Sequence, residues 1–243
     1  MKPTKEYNGR SRIRMFNADC MEFMEDCDKY DLAIVDPPYG LGEKLTSGGT
    51  WASKYSKSDS EWDNKIPDEY YFKSLFDSSE NQIIWGGNYF KLPKNRCFII
   101  WDKVAHMETL ADCEYAWASF DKNAKIFKHV RNTSEKRIHI TQKPVQLYKW
   151  LLSNYGPECK YCRGLGSYDE DIAGDGGSCM RLTCDECNGT GKGKILDTHG
   201  GSMSIAIACW DLGFDLDIIE LDEDYFNDAV KRFENHISQT QLF

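Results

Sequence analysis

The sequence lacks a long hydrophobic run, a hydrophobic N-terminal segment and an excess of basic charge. No apolar stretch approaches the roughly 18 residues that a transmembrane helix needs, which argues against a membrane-spanning protein. The first residues, Met1 to Lys5, are polar, so no signal peptide is expected. The formal net charge of −9 argues against indiscriminate binding to nucleic acid. These absences predict a cytoplasmic protein whose contacts with DNA, if any, come from a local basic patch.

The length of the chain and its cysteine content narrow the possible fold class and the chemistry of its cysteines. The 243 residues suffice for one α/β domain that carries an insertion, and a hydrophobic fraction of 41% predicts a packed core. The chain has ten cysteines. Without a secretory signal, these favour reduced thiols and metal ligands over disulfides.

The most informative stretch is residues 31–40, which read DLAIVDPPYG. The apolar run is typical of a strand buried on both faces, and Pro37 and Pro38 end it because they cannot donate to a sheet. Asp36 is therefore expected at the carboxyl end of a strand, where ligands bind in open α/β sheets. A carboxylate, the free carbonyl groups around the prolines and the ring of Tyr39 suit a planar base with an exocyclic amino group. The alternative is an ordinary turn in which the acid stands by chance.

Short apolar runs and helical periodicity predict the other elements. Asp19 follows one of the strands and is either the N-cap of the next helix or a ligand-binding acid, two roles that are compatible. The alternation of strands and helices predicts a mainly parallel sheet. Strands are expected at 13–17, 81–85, 96–101, 113–120, 194–197 and 215–220, and helices after Cys20 and at 70–75, 145–152, 203–212 and 224–236.

Two segments are candidates for contact with nucleic acid. The segment 41–65 is polar with isolated aromatic residues, which suits either a loop that closes on nucleic acid or a plain surface loop. The segment 121–149 is basic in an otherwise acidic chain, and a charge run of this kind is either a phosphate-contacting surface or a solvated face. The candidate contacts are Lys122, Lys125, Lys128, Arg131, Lys136 and Arg137.

Four cysteines form a repeated CxxCxGxG unit, at 159–166 and again at 184–191. Two thiolates spaced in this way bind one metal ion, and the glycines allow the turn that aims backbone N–H groups at the sulfurs. The predicted ligands of a four-coordinate structural zinc ion are Cys159, Cys162, Cys184 and Cys187. The repeat resembles half of the zinc region of DnaJ-type chaperones.

A glycine turn at 199–202 precedes a predicted helix, and Glu220 ends the next strand, nineteen residues after Gly201. Such a turn lets a cofactor approach the backbone, and an acid at that distance is placed to bind a ribose. Taken alone, the pair would also fit an NAD-dependent dehydrogenase, although a hydride-transfer enzyme has no use for Asp-Pro-Pro-Tyr.

Outside the cysteine insert, the chain resembles the β-class amino DNA methyltransferases, which methylate adenine N6 or cytosine N4 with S-adenosylmethionine. The resemblance implies a Rossmann-like S-adenosylmethionine-dependent methyltransferase fold with a mainly parallel, seven-stranded sheet. It implies a catalytic motif of Asp36, Pro37, Pro38 and Tyr39. It also implies a cofactor site of Asp19, Cys20, Lys143, Asp197, His199, Gly200, Gly201, Ser202, Glu220 and Asp222.

The sequence departs from that family in the cofactor loop, which there reads Asp-Pro-Phe-x-Gly-Ser-Gly. Thr198 and His199 replace Pro-Phe, and Met203 replaces the last glycine. These changes leave open a non-enzymatic, zinc-dependent binding module on a degenerate methyltransferase fold.

The resemblance divides the chain into a catalytic half (1–155), a zinc-binding insert (156–193) and a cofactor-binding half (194–243). The catalytic half includes a short target-recognition region at about 103–140. Its small size implies a short recognition site, a partner subunit or low specificity. The expected partner is double-stranded DNA, and a homodimer is left open.

The implied reaction acts on a base flipped out of the duplex. Asp36 and the Pro37 carbonyl would accept the two amino hydrogens, and Tyr39 would stack on the base. Within this family Asp-Pro-Pro-Tyr is commoner among adenine N6 enzymes and Ser-Pro-Pro-Tyr among cytosine N4 enzymes. The resemblance therefore favours adenine N6, with cytosine N4 as the alternative.

Overall fold

The computed structural model describes residues 1–40, 66–104, 111–130, 138–139, 142–171 and 179–240. The candidate loop at 41–65 lies outside these ranges, as do Arg131, Lys136 and Arg137 of the basic segment. None of the described helices is long and apolar enough to cross a membrane.

Helices and strands alternate over parts of the chain, whereas the four strands between residues 79 and 128 have no described α-helix among them. The strands are β1 (Lys5–Asn8), β2 (Arg12–Asn17), β3 (Tyr30–Val35), β4 (Ser79–Trp85), β5 (Phe98–Asp102), β6 (Cys113–Ala118), β7 (Lys125–Lys128), β8 (Ser167–Asp171), β9 (Cys179–Thr183), β10 (Lys194–Asp197) and β11 (Asp215–Glu220). The helices are α1 (Cys20–Glu25), α2 (Glu69–Ser78), α3 (Val145–Tyr155), α4 (Ser204–Leu212) and α5 (Glu223–Thr240), and Gly87–Tyr89 forms a single 3-10 turn.

The main sheet has the order β1-β2-β11-β10-β3-β4-β6-β5-β7. Five adjacent strands from β2 to β4 are parallel to one another, whereas β6 runs antiparallel to both of its neighbours. The sheet has nine strands where seven were expected, because a four-residue strand is added at each edge. These two strands were missed because neither β1 nor β7 has the apolar run of a buried strand.

The central strand β3 is buried on both faces, as its unbroken apolar run predicted. Leu32 and Ile34 belong to the hydrophobic cluster on one face of the sheet, and Ala33 and Val35 belong to the cluster on the other. Alternate residues of a strand point to opposite faces, so residues 32–35 of β3 all have to be apolar.

The parallel strands β2, β11, β10, β3 and β4 end at one side of the sheet, which we call the carboxyl edge. Because β6 runs in the opposite direction, its first residues lie at this same edge. The backbone confirms this arrangement, since the N–H of Gly86, just after β4, donates to the carbonyl oxygen of Tyr115 near the start of β6 at 2.9 Å.

The cysteine insert lies at the other side of the sheet. It carries the two-stranded antiparallel sheet of β8 and β9. The ammonium of Lys160 contacts Asp31 at 2.9 Å and also Glu80, and these acids lie near the starts of β3 and β4. The insert therefore joins the fold at the amino end of the strands, as its place before β10 predicted.

Candidate active site

A cavity of about 320 Å³ lies at the carboxyl edge. It is formed by the segments that follow β2, β3, β10 and β11, together with residues just before α3. The predicted site residues that line it are Asp19, Cys20, Asp36, Pro38, Lys143, His199, Gly200, Gly201, Ser202, Glu220 and Asp222. The fold thus brings most of the catalytic and cofactor candidates around one space.

Glu220 is fixed by the backbone around it. One carboxylate oxygen accepts the N–H of Gly201 at 2.6 Å, and the other accepts the N–H of Asp222 at 2.9 Å. Gly201 has a φ of +49°, in the left-handed region that glycine adopts without strain. The carboxylate is therefore held rigidly, and it keeps lone pairs for a further partner.

Both roles considered for Asp19 are compatible with its position. Its carboxylate accepts the N–H of Met21 at 2.7 Å and caps α1, and the residue also lines the cavity. Cys20 beside it is not a ready nucleophile, because burial raises the pKa of its thiol to about 12.

Asp197 supports the glycine turn at 199–202 through a hydrogen bond to its first residue. Its buried carboxylate accepts the N–H of His199 at 3.0 Å. The Nδ1 atom of His199 lies 2.9 Å from the hydroxyl oxygen of Thr198, which in turn lies 2.7 Å from that of Tyr71. Burial lowers the pKa of His199 to about 4, so the ring is neutral near pH 7. The histidine in place of the family's phenylalanine therefore adds no charge to the cavity.

Met203, in place of the family's last glycine, has a φ of +52°. This left-handed conformation costs an L-residue about 1–2 kcal/mol. The Met203 side chain is only 1% exposed, and burial of a methionine side chain contributes roughly 1.5–3 kcal/mol in return. The glycine conformation of the loop is thus kept although the glycine is absent.

Asp36 has partners on both of its oxygens. Oδ1 accepts a hydrogen bond from the hydroxyl of Tyr39, and Oδ2 accepts one from the ammonium of Lys143. The ring of Tyr39 is stacked on Tyr89, with centroids 5.1 Å apart and planes inclined by 13°. Tyr39 also passes so close to Gly86 that a Cβ atom at Gly86 would lie 2.2 Å from the ring. The Asp-Pro-Pro-Tyr turn is therefore held against the end of β4.

The sequence analysis missed two charged residues near Asp36, which are Glu114 and Lys103. The ammonium of Lys143 lies 3.3 Å from a carboxylate oxygen of Glu114, and the ammonium of Lys103 lies 3.0 Å from the other oxygen of Glu114. Glu114 is the second residue of β6, a position that a wholly parallel sheet would place far from Asp36. The antiparallel direction of β6 was the missing information.

His139 and Tyr225 also line the cavity and were not predicted. Their rings are in contact, with centroids 4.4 Å apart. Burial lowers the pKa of His139 to about 4, so this ring too is neutral near pH 7. The two rings, inclined by 55° to each other, give the cavity an aromatic side near Glu220 and Asp222.

The described lysines of the basic segment do not form one surface. Lys122 and Lys125 contact Asn154, near the end of α3, at 3.3 and 2.9 Å. Lys128 lies at the other end of β7, next to Asp102 at 3.9 Å. Because β7 is parallel to β5, it is Lys128 that lies toward the carboxyl edge, and Lys122 and Lys125 lie toward the amino end.

The four predicted metal ligands converge. The sulfur atoms of Cys159, Cys162, Cys184 and Cys187 all lie within 4.8 Å of one another, and the four residues are buried. Zn–S bonds of about 2.3 Å in a tetrahedron place the sulfurs roughly 3.8 Å apart. The observed Cys159–Cys184 and Cys162–Cys187 sulfur distances are 3.9 and 3.7 Å. The cluster therefore fits a tetrahedral metal ion.

Backbone N–H groups of the glycines support two of these sulfurs. Gly166 donates to Cys162 at 3.2 Å, and Gly191 donates to Cys187 at 3.3 Å. Hydrogen bonds of this kind stabilise a thiolate ligand. The CxxCxGxG pattern was thus interpreted correctly both in its cysteines and in its glycines.

No protein-family model matches the sequence, and no curated protein does. Solved structures do resemble it. The structure of M1.HpyAVI in complex with SAM gives a TM-score of 0.51 at 18% identity, over 90% of this chain and 99% of that one. PvuII DNA methyltransferase, described as cytosine-N4-specific, gives a TM-score of 0.52 at 11% identity, over 91% of this chain and 86% of that one. The chain therefore has the predicted methyltransferase fold, which it shares with these two solved structures and which is extended here by a four-cysteine insert.

Proposed function

We propose that this protein is an S-adenosylmethionine-dependent DNA methyltransferase that acts on the exocyclic amino group of a base, adenine N6. The observation that carries the proposal is that one cavity is lined both by Asp36 of the Asp-Pro-Pro-Tyr turn and by the glycine turn with Glu220. An acceptor for an amino group and a loop suited to a nucleoside cofactor thus face the same space. The solved structures with this fold, one bound to SAM and one a DNA methyltransferase, agree with it.

The cavity suits S-adenosylmethionine chemically. Glu220 and Asp222 offer acceptors for ribose hydroxyl groups, and Asp19 offers one for an amino group. The rings of His139 and Tyr225 offer an aromatic surface for a base. When bound there, the cofactor supplies an electrophilic methyl group.

The protein's own task is to orient the target amino group. The carboxylate of Asp36 accepts one amino hydrogen and the Pro37 carbonyl accepts the other. This draws the lone pair of the nitrogen out of conjugation with the ring. Tyr39 stacks on the base. Orientation of the two reactants accounts for most of the rate enhancement. Asp36 need not be a strong base, because the amino proton becomes acidic only as the nitrogen is methylated.

Zinc in the four-cysteine cluster would have a structural role. Four thiolates fill its coordination sphere and leave no position for a substrate. The insert also contacts the amino ends of β3 and β4, on the side of the sheet away from Asp36. Of the three candidate lysines that the structure describes, Lys128 is placed best to contact DNA near the cavity.

The test is to incubate the protein with methyl-labelled S-adenosylmethionine and unmethylated duplex DNA, digest the DNA to nucleosides and separate these by mass. N6-methyladenine is the expected product. N4-methylcytosine would overturn the choice of base, and the resemblance to the cytosine-N4-specific PvuII enzyme makes it the second candidate.

Calorimetry separates the remaining possibilities. Binding of S-adenosylmethionine without label in either base would favour the non-enzymatic binding module. Binding of NAD in place of S-adenosylmethionine would favour a dehydrogenase.

A further inference from the structure

Four charged side chains form a chain at the carboxyl edge. It runs from Asp36 through Lys143 and Glu114 to Lys103, and it contains two acids and two ammonium groups. Lys143 is the most deeply buried of them, with a side chain only 2% exposed. A buried ammonium is stable only when it is paired, and Lys143 is paired with both acids.

Glu114 is the rigid end of this arrangement. It lies within the β5–β6 ladder, where it pairs with Trp101, and its carboxylate is held by Lys103 at 3.0 Å. Lys143 and Asp36, in contrast, are in connecting segments, just before α3 and just after β3. The strand residue is therefore placed to set the position of Lys143, and Lys143 that of Asp36.

Asp36 has a specific need for such support. Its two oxygens already accept from Tyr39 and Lys143, which leaves about two of roughly four acceptor positions for a substrate. Burial raises the pKa of Asp36, and the ammonium of Lys143 opposes this rise. Burial also raises the pKa of Glu114, but Lys143 and Lys103 outweigh this effect, so the pKa of Glu114 is lowered. The lysines thus favour the anionic form of both acids, and for Glu114 they lower the pKa below its usual value.

We propose that Glu114 and Lys143 are positioning residues: Lys143 holds the Asp36 carboxylate aimed at the target amino group, and Glu114 fixes the position of Lys143. The inference rests on the proposed function, in which Asp36 accepts an amino hydrogen. Glu114 acts through Lys143 and touches neither the base nor the cofactor. Its negative charge also limits how strongly Lys143 is committed to Asp36, so that Asp36 remains a good acceptor.

Among the described residues, the titratable groups that interact electrostatically with Asp36 include Lys143, Glu114, Tyr39, Tyr71, Tyr148 and Asp197. Burial raises the pKa of the three tyrosines well above its usual value, so they stay neutral near pH 7, and burial raises the pKa of Asp197 as well. Substitutions of Lys143 and Glu114 therefore change the two charges that act most strongly on Asp36.

The two substitutions should move Asp36 in opposite directions. Lys143→Met removes the compensating charge, so the acidic limb of the pH–rate profile should shift up by about one pH unit or more. Glu114→Gln removes a like charge and leaves Lys143 to Asp36 alone, so the limb should shift down. Lys149→Met is the matched control, because this lysine pairs with Asp211 outside the site and should leave the limb where it is.

A direct titration separates this inference from the proposed function. Carbon-13 NMR of labelled aspartate carboxyl groups follows Asp36 without DNA or cofactor, and Asp36→Asn identifies its signal. The expected result is a higher midpoint in Lys143→Met and a lower one in Glu114→Gln. The isosteric Glu114→Gln keeps the test decisive if Lys143→Met does not fold.

An Asp36 midpoint that is the same in Glu114→Gln as in the unaltered protein would overturn the proposal. So would limbs that move in the same direction in both variants. If the unaltered protein transfers no methyl group while the two carboxyl shifts occur as expected, the proposed function fails and the control of Asp36 by Glu114 and Lys143 stands.

Discussion

The carboxylate of Glu220 accepts the backbone N–H of Gly201 at 2.6 Å, and this bond joins the end of β11 to the turn after β10. The two residues are nineteen positions apart, and between them lies the whole of α4. The turn and the acid are thus one rigid unit before any ligand binds. The predictions for the cofactor cavity follow from this unit.

Glu220→Ala should weaken binding of S-adenosylmethionine while leaving the fold intact. A hydrogen bond to a charged group is worth about 1.5–3 kcal/mol, so the dissociation constant should rise roughly 10- to 150-fold. Isothermal titration calorimetry measures the change. Glu223→Ala, at the exposed start of α5, is the control and should bind as the unaltered protein does. Equal affinities in both variants would remove Glu220 from the cofactor site.

Asp36→Ala should abolish methyl transfer and leave cofactor affinity within a few-fold of the unaltered value. The carboxylate faces the target base in the proposed reaction, whereas Glu220 and the glycine turn hold the cofactor. The loss in turnover should be about 100-fold or more, as is usual when one preorganised hydrogen-bonding group is removed. Labelled methyl transfer and calorimetry together measure the two effects. Normal turnover in this variant would exclude the mechanism.

Gly86→Ala should destabilise the protein by disturbing Tyr39. Gly86 has a φ of +68°, and an added Cβ would lie 2.2 Å from the Tyr39 ring. Gly213→Ala is the matched control, since its φ is +78° but the nearest atom to an added Cβ is 3.7 Å away. The cost of placing alanine at a positive φ, about 1 kcal/mol, should be common to both variants. Urea denaturation should show the larger loss for Gly86→Ala, and similar losses would mean that Tyr39 moves aside freely.

The purified protein should contain about one zinc ion per chain, bound by the four-cysteine cluster. Cys184→Ser should lose the metal and unfold the insert, because the binding energy of a structural zinc ion is folding energy. Cys113→Ser, at an exposed cysteine in β6, should keep it. Metal analysis by mass spectrometry distinguishes the variants. A zinc content of zero in unaltered protein purified without chelators would refute the assignment.

The free energy of unfolding should fall as the pH is lowered from about 6.5 to about 4, in part because of His199. Burial lowers the pKa of His199 to about 4 in the folded protein, against 6.5 for the free side chain. Between these values the unfolded chain binds the proton and the folded protein does not, so acid favours unfolding. His199→Phe should reduce this slope, which denaturation at several pH values measures. An unchanged slope would show that His199 is charged in the folded protein.

The sequence by itself determined the chemistry of the chain and most of its elements. The unbroken apolar run of β3, the prolines after it and the acid at its end predicted a buried strand that delivers Asp36 to a ligand-binding edge. The repeated CxxCxGxG unit predicted the four-sulfur cluster, because the metal ligands and the turns between them are local in the chain. These predictions succeeded because each depends on a pattern that can be read locally: the strand and its prolines are contiguous, and the two cysteine units repeat the same motif 25 positions apart.

Tertiary structure decided the rest, since it depends on contacts that span the chain. Asp36 and Lys143 are 107 residues apart, and Asp36 follows β3 whereas Glu114 lies in β6, so their network exists only in the folded sheet. The antiparallel direction of β6 brought Glu114 next to Lys143, and no local pattern marks that direction. In the same way, the parallel pairing of β7 with β5 separated Lys122 and Lys125 from Lys128, although the three are close in sequence. Charge pattern gives residue type and spacing along the chain, whereas strand direction decides which side of the sheet each charge occupies.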